Sequence, residues 1–202
     1  MNLSTWPDRL LVVDIEGNGT TPPDLVELAA IPIVDGRVRP KQAESTLIRP
    51  PRPFTAFATR VHRITNYNVQ TAPAWEAIAD KVQADLDGAW IAAHNAHIDY
   101  GVLARHLPTW KPAGVLDTLR LARAVLPSLP KHGLDALITH TGIDMSGVPG
   151  QRHRAAFDAH ATVLLLNLAA SFATWDDLVA AVPPRLPGVP TPAPDTEEPT
   201  LW

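Results

Sequence analysis

The chain of 202 residues contains no cysteine, which excludes disulfide bonds and thiolate metal sites. It also lacks an apolar run long enough to span a membrane, and its first residues lack the pattern of a secretion signal, so we expect a soluble, cytoplasmic protein. Basic residues are in deficit, because 17 Lys and Arg against 21 Asp and Glu give a net charge of −4. A broad basic surface that holds nucleic acid by counterion release is therefore not expected.

What is present fits one catalytic domain followed by a short tail. With 46% hydrophobic residues, the chain can bury a single core of ordinary size. The composition changes after Val182, because seven of the 21 prolines fall within the last 20 residues. Proline lacks a backbone donor, so that stretch cannot pair regularly. We predict a domain over residues 1–182 and a disordered tail over residues 183–202.

The apolar pattern predicts a mixed α/β layer architecture in which three antiparallel strands lead into βα units. A strand over residues 10–15 is followed by a hairpin whose turn is Asp35-Gly36, and then by a loop rich in Pro and Thr. Two further short strands are predicted at residues 89–93 and 114–116. The predicted helices cover residues 74–86, 97–107, 118–125, 133–141, 155–172 and 174–182.

The first motif, LLVVDIEGNG, places two carboxylates at the end of a predicted strand. Residues two positions apart on a strand face the same side, so Asp14 and Glu16 converge on one point. Gly17 and Gly19 allow the backbone to turn and a ligand to approach closely. Taken alone, the motif is equally compatible with a polar strand end that leads into a loop.

The second motif, WIAAHNAHIDYGVL, places Asp99 in the first turn of a predicted helix. The helix dipole favours a carboxylate there, so Asp99 alone could be a stabilising first-turn acid. Asn95 is either the N-cap of this helix or a contact to a substrate, and both interpretations stay open.

The third motif, HRAAFDAHATVLLL, begins an apolar helix that carries Asp158. His153 lies five residues earlier, and this spacing does not put the two side chains on one helical face. We therefore expect His153 at the mobile start of the helix, which suits a base that must approach a water molecule. His160 is expected to be a surface or capping histidine.

Four carboxylates brought together would repel one another unless divalent cations lay between them. A ligand set made only of carboxylate oxygens suits Mg²⁺ or Mn²⁺ and disfavours a structural zinc ion. Two such ions about 4 Å apart can generate a hydroxide and stabilise the leaving oxygen of a displacement at phosphorus. Histidine titrates near neutrality, so His153 suits the deprotonation of the attacking water.

The three motifs, in this order, resemble those of the DEDD superfamily of 3′-to-5′ exonucleases, histidine subtype, which includes the proofreading subunit of bacterial DNA polymerase III. The resemblance covers residues 10–170, and the segment TLIRPPRPFTAFATRVHRITNYNV is most similar to exodeoxyribonuclease X. It implies a ribonuclease H-like fold with a five-stranded mixed sheet flanked by helices. It also implies that the metal ligands are Asp14, Glu16, Asp99 and Asp158, and that His153 is the general base.

The resemblance also indicates where a substrate would bind. Relatives commonly carry two threonines after the first motif's glutamate, whereas this chain has Gly17 and Asn18, so nucleotide preference is expected to differ. In the family that position contacts the terminal 3′-hydroxyl through its backbone. His62, in VHRIT, either borders the terminal nucleotide or packs under the loop, and both interpretations stay open.

The expected substrate is a short single-stranded DNA 3′ end, because aromatic residues make up only 6% of the chain and extensive base stacking is not predicted. The expected function is release of mononucleotides in DNA repair or proofreading. Two alternatives stay open: trimming of RNA ends, and a non-catalytic module that binds DNA ends or a partner. Arginines in the connecting segment could contact phosphates or form a solvated surface, namely Arg49, Arg52, Arg60 and Arg63.

The last residues suggest a separate interaction. Leu201 and Trp202 form an apolar pair at the tip of a polar, proline-rich segment. Such an end resembles the short peptides by which bacterial DNA-processing proteins bind the replication sliding clamp, with the apolar pair as anchors. The usual leading glutamine is replaced by Glu198, and a terminus without a partner is the alternative.

Overall fold

The fold is built on a mixed β-sheet with helices on both faces. The computed structural model describes residues 5–184 together with residues 186 and 189. The strands are β1 (Arg9–Gly17), β2 (Leu25–Val34), β3 (Arg37–Val38), β4 (Glu44–Leu47), β5 (Trp90–Ala93) and β6 (Gly114–Asp117). The helices are α1 (Ala56–His62), α2 (Ala79–Leu86), α3 (His97–His106), α4 (Thr118–Val125), α5 (Leu134–Thr141), α6 (Ala155–Leu165) and α7 (Trp175–Ala181).

The strands are arranged in the order β3-β2-β1-β5-β6, and β4 also pairs with β2. β1 is antiparallel to β2 and parallel to β5, which is parallel to β6. The predicted hairpin is confirmed, since Val34 pairs with Arg37 across a turn in which Asp35 and Gly36 both have positive φ. After β3 the chain makes a 3₁₀ turn, Pro40–Gln42, and then forms β4, which pairs with β2 as β3 does. The sheet is therefore five strands wide, as predicted, although it has six segments.

Strand β1 is buried on both faces, because successive side chains point to opposite sides of the sheet. Leu11 and Val13 pack in one apolar core beneath α2 and α3, whereas Leu10 and Val12 pack in a second core with α6 and α7. Because β1 is packed on both faces and lies in the centre of the sheet, Asp14 and Glu16 have fixed positions near its carboxyl end.

Helix α1 lies within the segment that the sequence pattern left as a loop. Thr55 caps it by accepting a hydrogen bond from the backbone N–H of Ala58, and Arg63 ends it in the left-handed conformation. Two helices are shorter than predicted. In the segment predicted as a helix over residues 74–86, a 3₁₀ turn, Trp75–Ala77, precedes α2. The helix predicted over residues 155–172 ends at Leu165, and a 3₁₀ segment, Leu166–Ser171, follows it.

Part of the predicted tail packs on the domain. Val189 is 7% exposed in the core beneath α2 and α3, and Leu186 packs against the same core. The sliding-clamp residues Leu201 and Trp202 lie outside the described residues. Within the described chain, no single helix is long and apolar enough to cross a membrane, although the bent pair 155–171 and 175–181 passes the same test by length and composition.

Gly114 is required where β6 passes Trp90. A Cβ atom at Gly114 would lie 2.4 Å from the indole of Trp90, which is held edge-on against Trp175 at 5.2 Å between ring centroids. We expect Gly114→Ala to lower the free energy of unfolding by about 1–3 kcal/mol through overpacking. Gly101→Ala, in α3 with nothing within 4 Å of its Cβ, is the matched control and should raise it by about 0.5–1 kcal/mol. Urea denaturation of both variants measures the difference, and equal stabilities would contradict the packing argument.

Candidate active site

The predicted acidic residues meet at the end of β1. Asp14 and Glu16 are half-buried on the strand, Asp99 lies in the first turn of α3, and Asp158 lies in the first turn of α6. Asp99 and Asp158 are each 5% exposed. Because β1 and β5 are parallel neighbours, the helix that follows β5 begins beside the last residues of β1. The structure thus brings together the four carboxylates that the three motifs indicated.

The charges in this cluster are poorly compensated. Burial raises the pKa of Asp14 well above its ordinary value, and the charges of Asp99, Asp158 and Glu16 raise it further. Burial, followed by the charge of Asp158, raises the pKa of Glu16 to about 8. Burial raises the pKa of Asp99 to about 8 as well, although backbone hydrogen bonds oppose the rise. Such a set of oxygen donors fits a divalent cation, since a cation would offset the charge that now favours protonation.

His153 lies just before α6, as predicted, and not in the body of the helix. Its φ is 61°, and its backbone N–H donates a hydrogen bond to Asp158 Oδ2 at 3.2 Å. Its ring also approaches the carboxylates, because one potential ligand atom from each of Glu16, His153 and Asp158 lies within 4.8 Å of the others. His153 is therefore close enough to act either on a water molecule beside the carboxylates or on a cation.

The start of α6 is fixed to the sheet by an ion pair that the motif analysis did not identify. Glu27, on β2 opposite Glu16, is 3% exposed. Arg154 donates to both of its oxygens, from Nε at 2.9 Å and from Nη2 at 2.7 Å, and the backbone N–H of Ala155 donates at 3.0 Å. The charge of Glu27 is thus already paired, and the pair sets where His153 and Asp158 lie. The signal in the sequence was a charged residue inside the otherwise apolar strand VELAAIPIV.

A second residue that the motif analysis did not identify is Arg152. Its guanidinium forms ion pairs with Asp158 and with Asp135 in the first turn of α5. Burial raises the pKa of Asp158, and the Arg152 guanidinium opposes that rise. Arg152 therefore places one positive charge beside the acidic cluster.

The side chain of Asn18 forms part of the loop that follows β1. Its side chain is fully buried and closes the loop after β1, donating to Asp24 at 2.8 Å and to the carbonyl of Arg52 at 3.2 Å. Its amide oxygen accepts from the backbone N–H groups of Thr20 and Asp24. A substrate contact through this side chain would require breaking those bonds. Of the four arginines in the connecting segment, Arg52 is occupied by an ion pair with Asp24 at 2.7 Å.

His62 packs under the same loop. It is 2% exposed, and its Nδ1 accepts a hydrogen bond from the backbone N–H of Ile64 at 3.0 Å. Its Nε2 must then donate to the carbonyl oxygen of Gly17, 3.2 Å away. Burial lowers the pKa of His62, which favours this neutral form. His62 therefore supports the backbone of Gly17 and also lines the cavity described next.

An apolar slot of about 220 Å³ opens beside Glu16 and Gly17. Two exposed apolar side chains line it, Phe57 from α1 and Ile98 from α3, with exposed fractions of 69% and 53%. A larger groove of about 700 Å³ lies between β2, β4 and α2, and none of the predicted site residues lines it. Of these two cavities, the slot is the one that adjoins the acidic cluster.

Asn95 lies at the side of the cluster, before α3. The interpretation of Asn95 as the N-cap is wrong, because Ala96 occupies that position and α3 has no side-chain cap. Asn95 instead has a φ of 70°, and its backbone N–H donates to Asp117 Oδ1 at 3.2 Å. Within the described chain its side-chain amide makes no hydrogen bond, so that group is available to a ligand.

The raised pKa of Glu16 predicts how stability depends on pH without metal. Between the ordinary value of 4.5 and about 8, Glu16 ionises in the unfolded chain but holds its proton in the folded one, so stability falls as pH rises through that window. Glu16→Gln cannot ionise. In the presence of a chelator we expect it to be more stable than the parent, with a gain that grows to about 1–3 kcal/mol at pH 8 and then levels off.

Urea denaturation at several pH values measures this gain, and Asp8→Asn, at an exposed position outside the cluster, is the control. A gain that did not change between pH 5 and pH 8 would show that Glu16 is not under electrostatic strain.

The chain is similar in sequence to known exonucleases and polymerase subunits. The RNase T exonuclease family model matches residues 11–166. A DNA polymerase III subunit epsilon-like protein of Rhodobacter capsulatus is 37% identical over 159 residues, which are 75% of this chain and 22% of that protein. Exodeoxyribonuclease 10 of Escherichia coli K12 is 32% identical over 158 residues, which are 78% of this chain and 66% of that protein. The chain thus spans about a fifth of the length of the first relative and about two thirds of the length of the second.

Solved structures show the same fold. Exonuclease X, in a complex with 5′ overhanging duplex DNA, superposes with a TM-score of 0.68 at 28% identity, over 86% of this chain and 99% of that one. Exonuclease I superposes with a TM-score of 0.69 at 20% identity, over 83% of this chain and 42% of that one, which supports the fold alone. The ribonuclease H-like fold is thereby confirmed. The chain belongs to the RNase T exonuclease family, within the DEDD superfamily of 3′-to-5′ exonucleases that the three motifs indicated.

Proposed function

We propose that this chain is a metal-dependent 3′-to-5′ exodeoxyribonuclease that releases mononucleotides from DNA 3′ ends, in DNA repair or proofreading in the cytoplasm. The observation that carries the proposal is the convergence of four carboxylates and His153 at the end of β1. The names of the relatives favour DNA, because exodeoxyribonuclease 10 and a polymerase subunit epsilon-like protein are among them. Discrimination of DNA from RNA depends on contacts to the 2′-hydroxyl, which none of the three motifs identifies, so RNA is the alternative that an experiment has to exclude.

The carboxylates would hold two divalent cations, Mg²⁺ or Mn²⁺. Asp14 and Glu16 come from one strand, and Asp99 and Asp158 each come from the first turn of a helix. Their raised pKa values support this assignment, because bound cations would offset the repulsion that raises them. When bound, the cations supply Lewis-acid activation of a water molecule and of the scissile phosphate, and they offset the charge on the leaving oxygen.

His153 is proposed as the general base. A ring nitrogen would take a proton from the attacking water as its oxygen bonds to phosphorus, and the bond from phosphorus to the 3′ oxygen would break. The products would be a nucleoside 5′-monophosphate and a strand shortened by one nucleotide. The nearness of a ring nitrogen of His153 to carboxylate oxygens of Glu16 and Asp158, all within 4.8 Å of one another, supports this role.

The slot is proposed to take the terminal base. Phe57 and Ile98 would contact the base faces, while Gly17 at the side of the slot would present its backbone to the terminal sugar. Asn95 is proposed as a further substrate contact because its amide is not used within the described chain. The Asn18 side chain would act indirectly, by holding the loop in shape. Binding of a sliding clamp through Leu201 and Trp202 stays a prediction.

The decisive experiment uses 5′-labelled single-stranded DNA and RNA of the same sequence, with Mg²⁺, Mn²⁺ or chelator. We expect a metal-dependent ladder that shortens from the 3′ end, and faster shortening of DNA. Asp14→Asn should lower the rate more than about 100-fold, the upper range for changes in the outer shell of a metal site, whereas Asp8→Asn should not change it. Faster cleavage of RNA would move the substrate class to RNA, and no ladder on either substrate would refute the proposed activity.

The slot assignment has its own test. Phe57→Ala should raise KM for a single-stranded oligonucleotide by about 10-fold, because stacking of a base on an aromatic side chain contributes about 1–3 kcal/mol. The turnover number should change little, because Phe57 does not contact the reacting atoms. Tyr67→Ala is the matched control, since Tyr67 is 76% exposed and does not line the slot. Equal KM values for the two variants would contradict the assignment.

A further inference from the structure

The Arg152 side chain is shared between two carboxylates that differ in exposure. Asp158 belongs to the acidic cluster and has a side chain that is 8% exposed, whereas the side chain of Asp135 is 67% exposed. The side chain of Arg152 is 26% exposed and lies between them. It therefore connects the buried cluster to a carboxylate at the surface.

Both oxygens of Asp158 are engaged by the protein's own groups. Oδ1 forms the ion pair with Arg152, and Oδ2 accepts the hydrogen bond from the backbone N–H of His153. A cation that binds at Asp158 needs at least one of these oxygens. The Arg152 guanidinium and a divalent cation therefore compete for the same carboxylate.

The residues that follow Arg152 are held by hydrogen bonds of their own. The backbone N–H of His153 donates to Asp158, and the backbone N–H of Ala155 and the side chain of Arg154 donate to Glu27. The Arg152 side chain is consequently the part that can change partner without moving the segment. Asp135 already pairs with it, so leaving Asp158 does not leave the guanidinium without a carboxylate.

We propose that Arg152 is a resident counter-ion of the acidic cluster, which neutralises Asp158 before metal binds and keeps only Asp135 as its partner afterwards. In this role Arg152 lowers the affinity of the site for divalent cations, and Asp135 limits that reduction. The inference rests on the proposed function, because it takes the acidic cluster as the metal site.

The charge of Arg152 reaches more than one carboxylate, as this role requires. It opposes the rise in pKa at Asp14 and at Glu16 as well as at Asp158. A single guanidinium cannot neutralise four carboxylates, so the cluster still favours a divalent cation. Arg152 thus adjusts the affinity for metal and does not replace the metal.

The test is calorimetric titration of the full chain with Mn²⁺ alone, without nucleic acid, at one pH and ionic strength. Arg152→Gln should bind Mn²⁺ about 10-fold more tightly, within the range by which residues around a metal site change its affinity. Asp135→Asn should bind it more weakly than the parent, by about 2–5-fold, because Asp158 becomes the only carboxylate partner of Arg152. Arg37→Gln removes an equal charge at an exposed position on β3 and should leave the affinity unchanged.

The outcomes separate this role from the alternatives. If Arg152→Gln binds Mn²⁺ no more tightly than the parent, Arg152 orients Asp158 and does not compete with metal, so the proposal is overturned. Arg152→Lys keeps the positive charge and should bind Mn²⁺ with the affinity of the parent. If both variants bound Mn²⁺ more tightly, the loss of charge would not be the cause, and the proposal would be overturned. If the parent itself binds no Mn²⁺, the metal site of the proposed function is refuted, and the role of Arg152 falls with it.

Discussion

The carboxylates at the end of β1 repel one another, and the surrounding structure must hold them together against this repulsion. Asp14 and Glu16 cannot move apart, because β1 is central in the sheet and buried on both faces. Asp99 and Asp158 lie in the first turns of α3 and α6, where the partial positive charge of a helix N-terminus favours a carboxylate. These dipoles and Arg152 compensate only part of the charge, so the folded chain favours protons or cations at this point.

Each segment that carries a site residue has its own polar anchor away from the reacting centre. Glu27 and Arg154 fix the start of α6, and the Asn18, Asp24 and Arg52 network closes the loop after β1. Asp117, which caps α4, also accepts from the backbone N–H of Asn95 before α3. The site is therefore positioned by buried polar contacts between elements, while the two apolar cores position the elements themselves. A change in an anchor would move a site residue without touching a substrate.

The sequence pattern was sufficient for what depends on local spacing. Asp14 and Glu16 followed from the two-residue period of a strand, and Asp99 and Asp158 followed from motifs at the starts of helices. Partners distant in the chain could not be found in this way, because Arg154 and Glu27 are 127 positions apart and meet only in the folded sheet. Helix α1 was missed for a different reason, since seven residues are too few to show a helical period. The positions of Asn18 and His62 depend on how a loop closes, which short-range patterns do not specify.

The left-handed backbone at His153 has a consequence for how variants of this residue are interpreted. With φ at 61°, the position suits glycine and asparagine better than most residue types, and a β-branched side chain would be strained by about 1–3 kcal/mol. Substitution by alanine would therefore remove the imidazole and also change the backbone preference of the segment that holds Asp158. Asparagine keeps the backbone preference, so a comparison of the two variants separates proton transfer from loop geometry. The residue types compatible with an active chain at this position are restricted twice, once by chemistry and once by conformation.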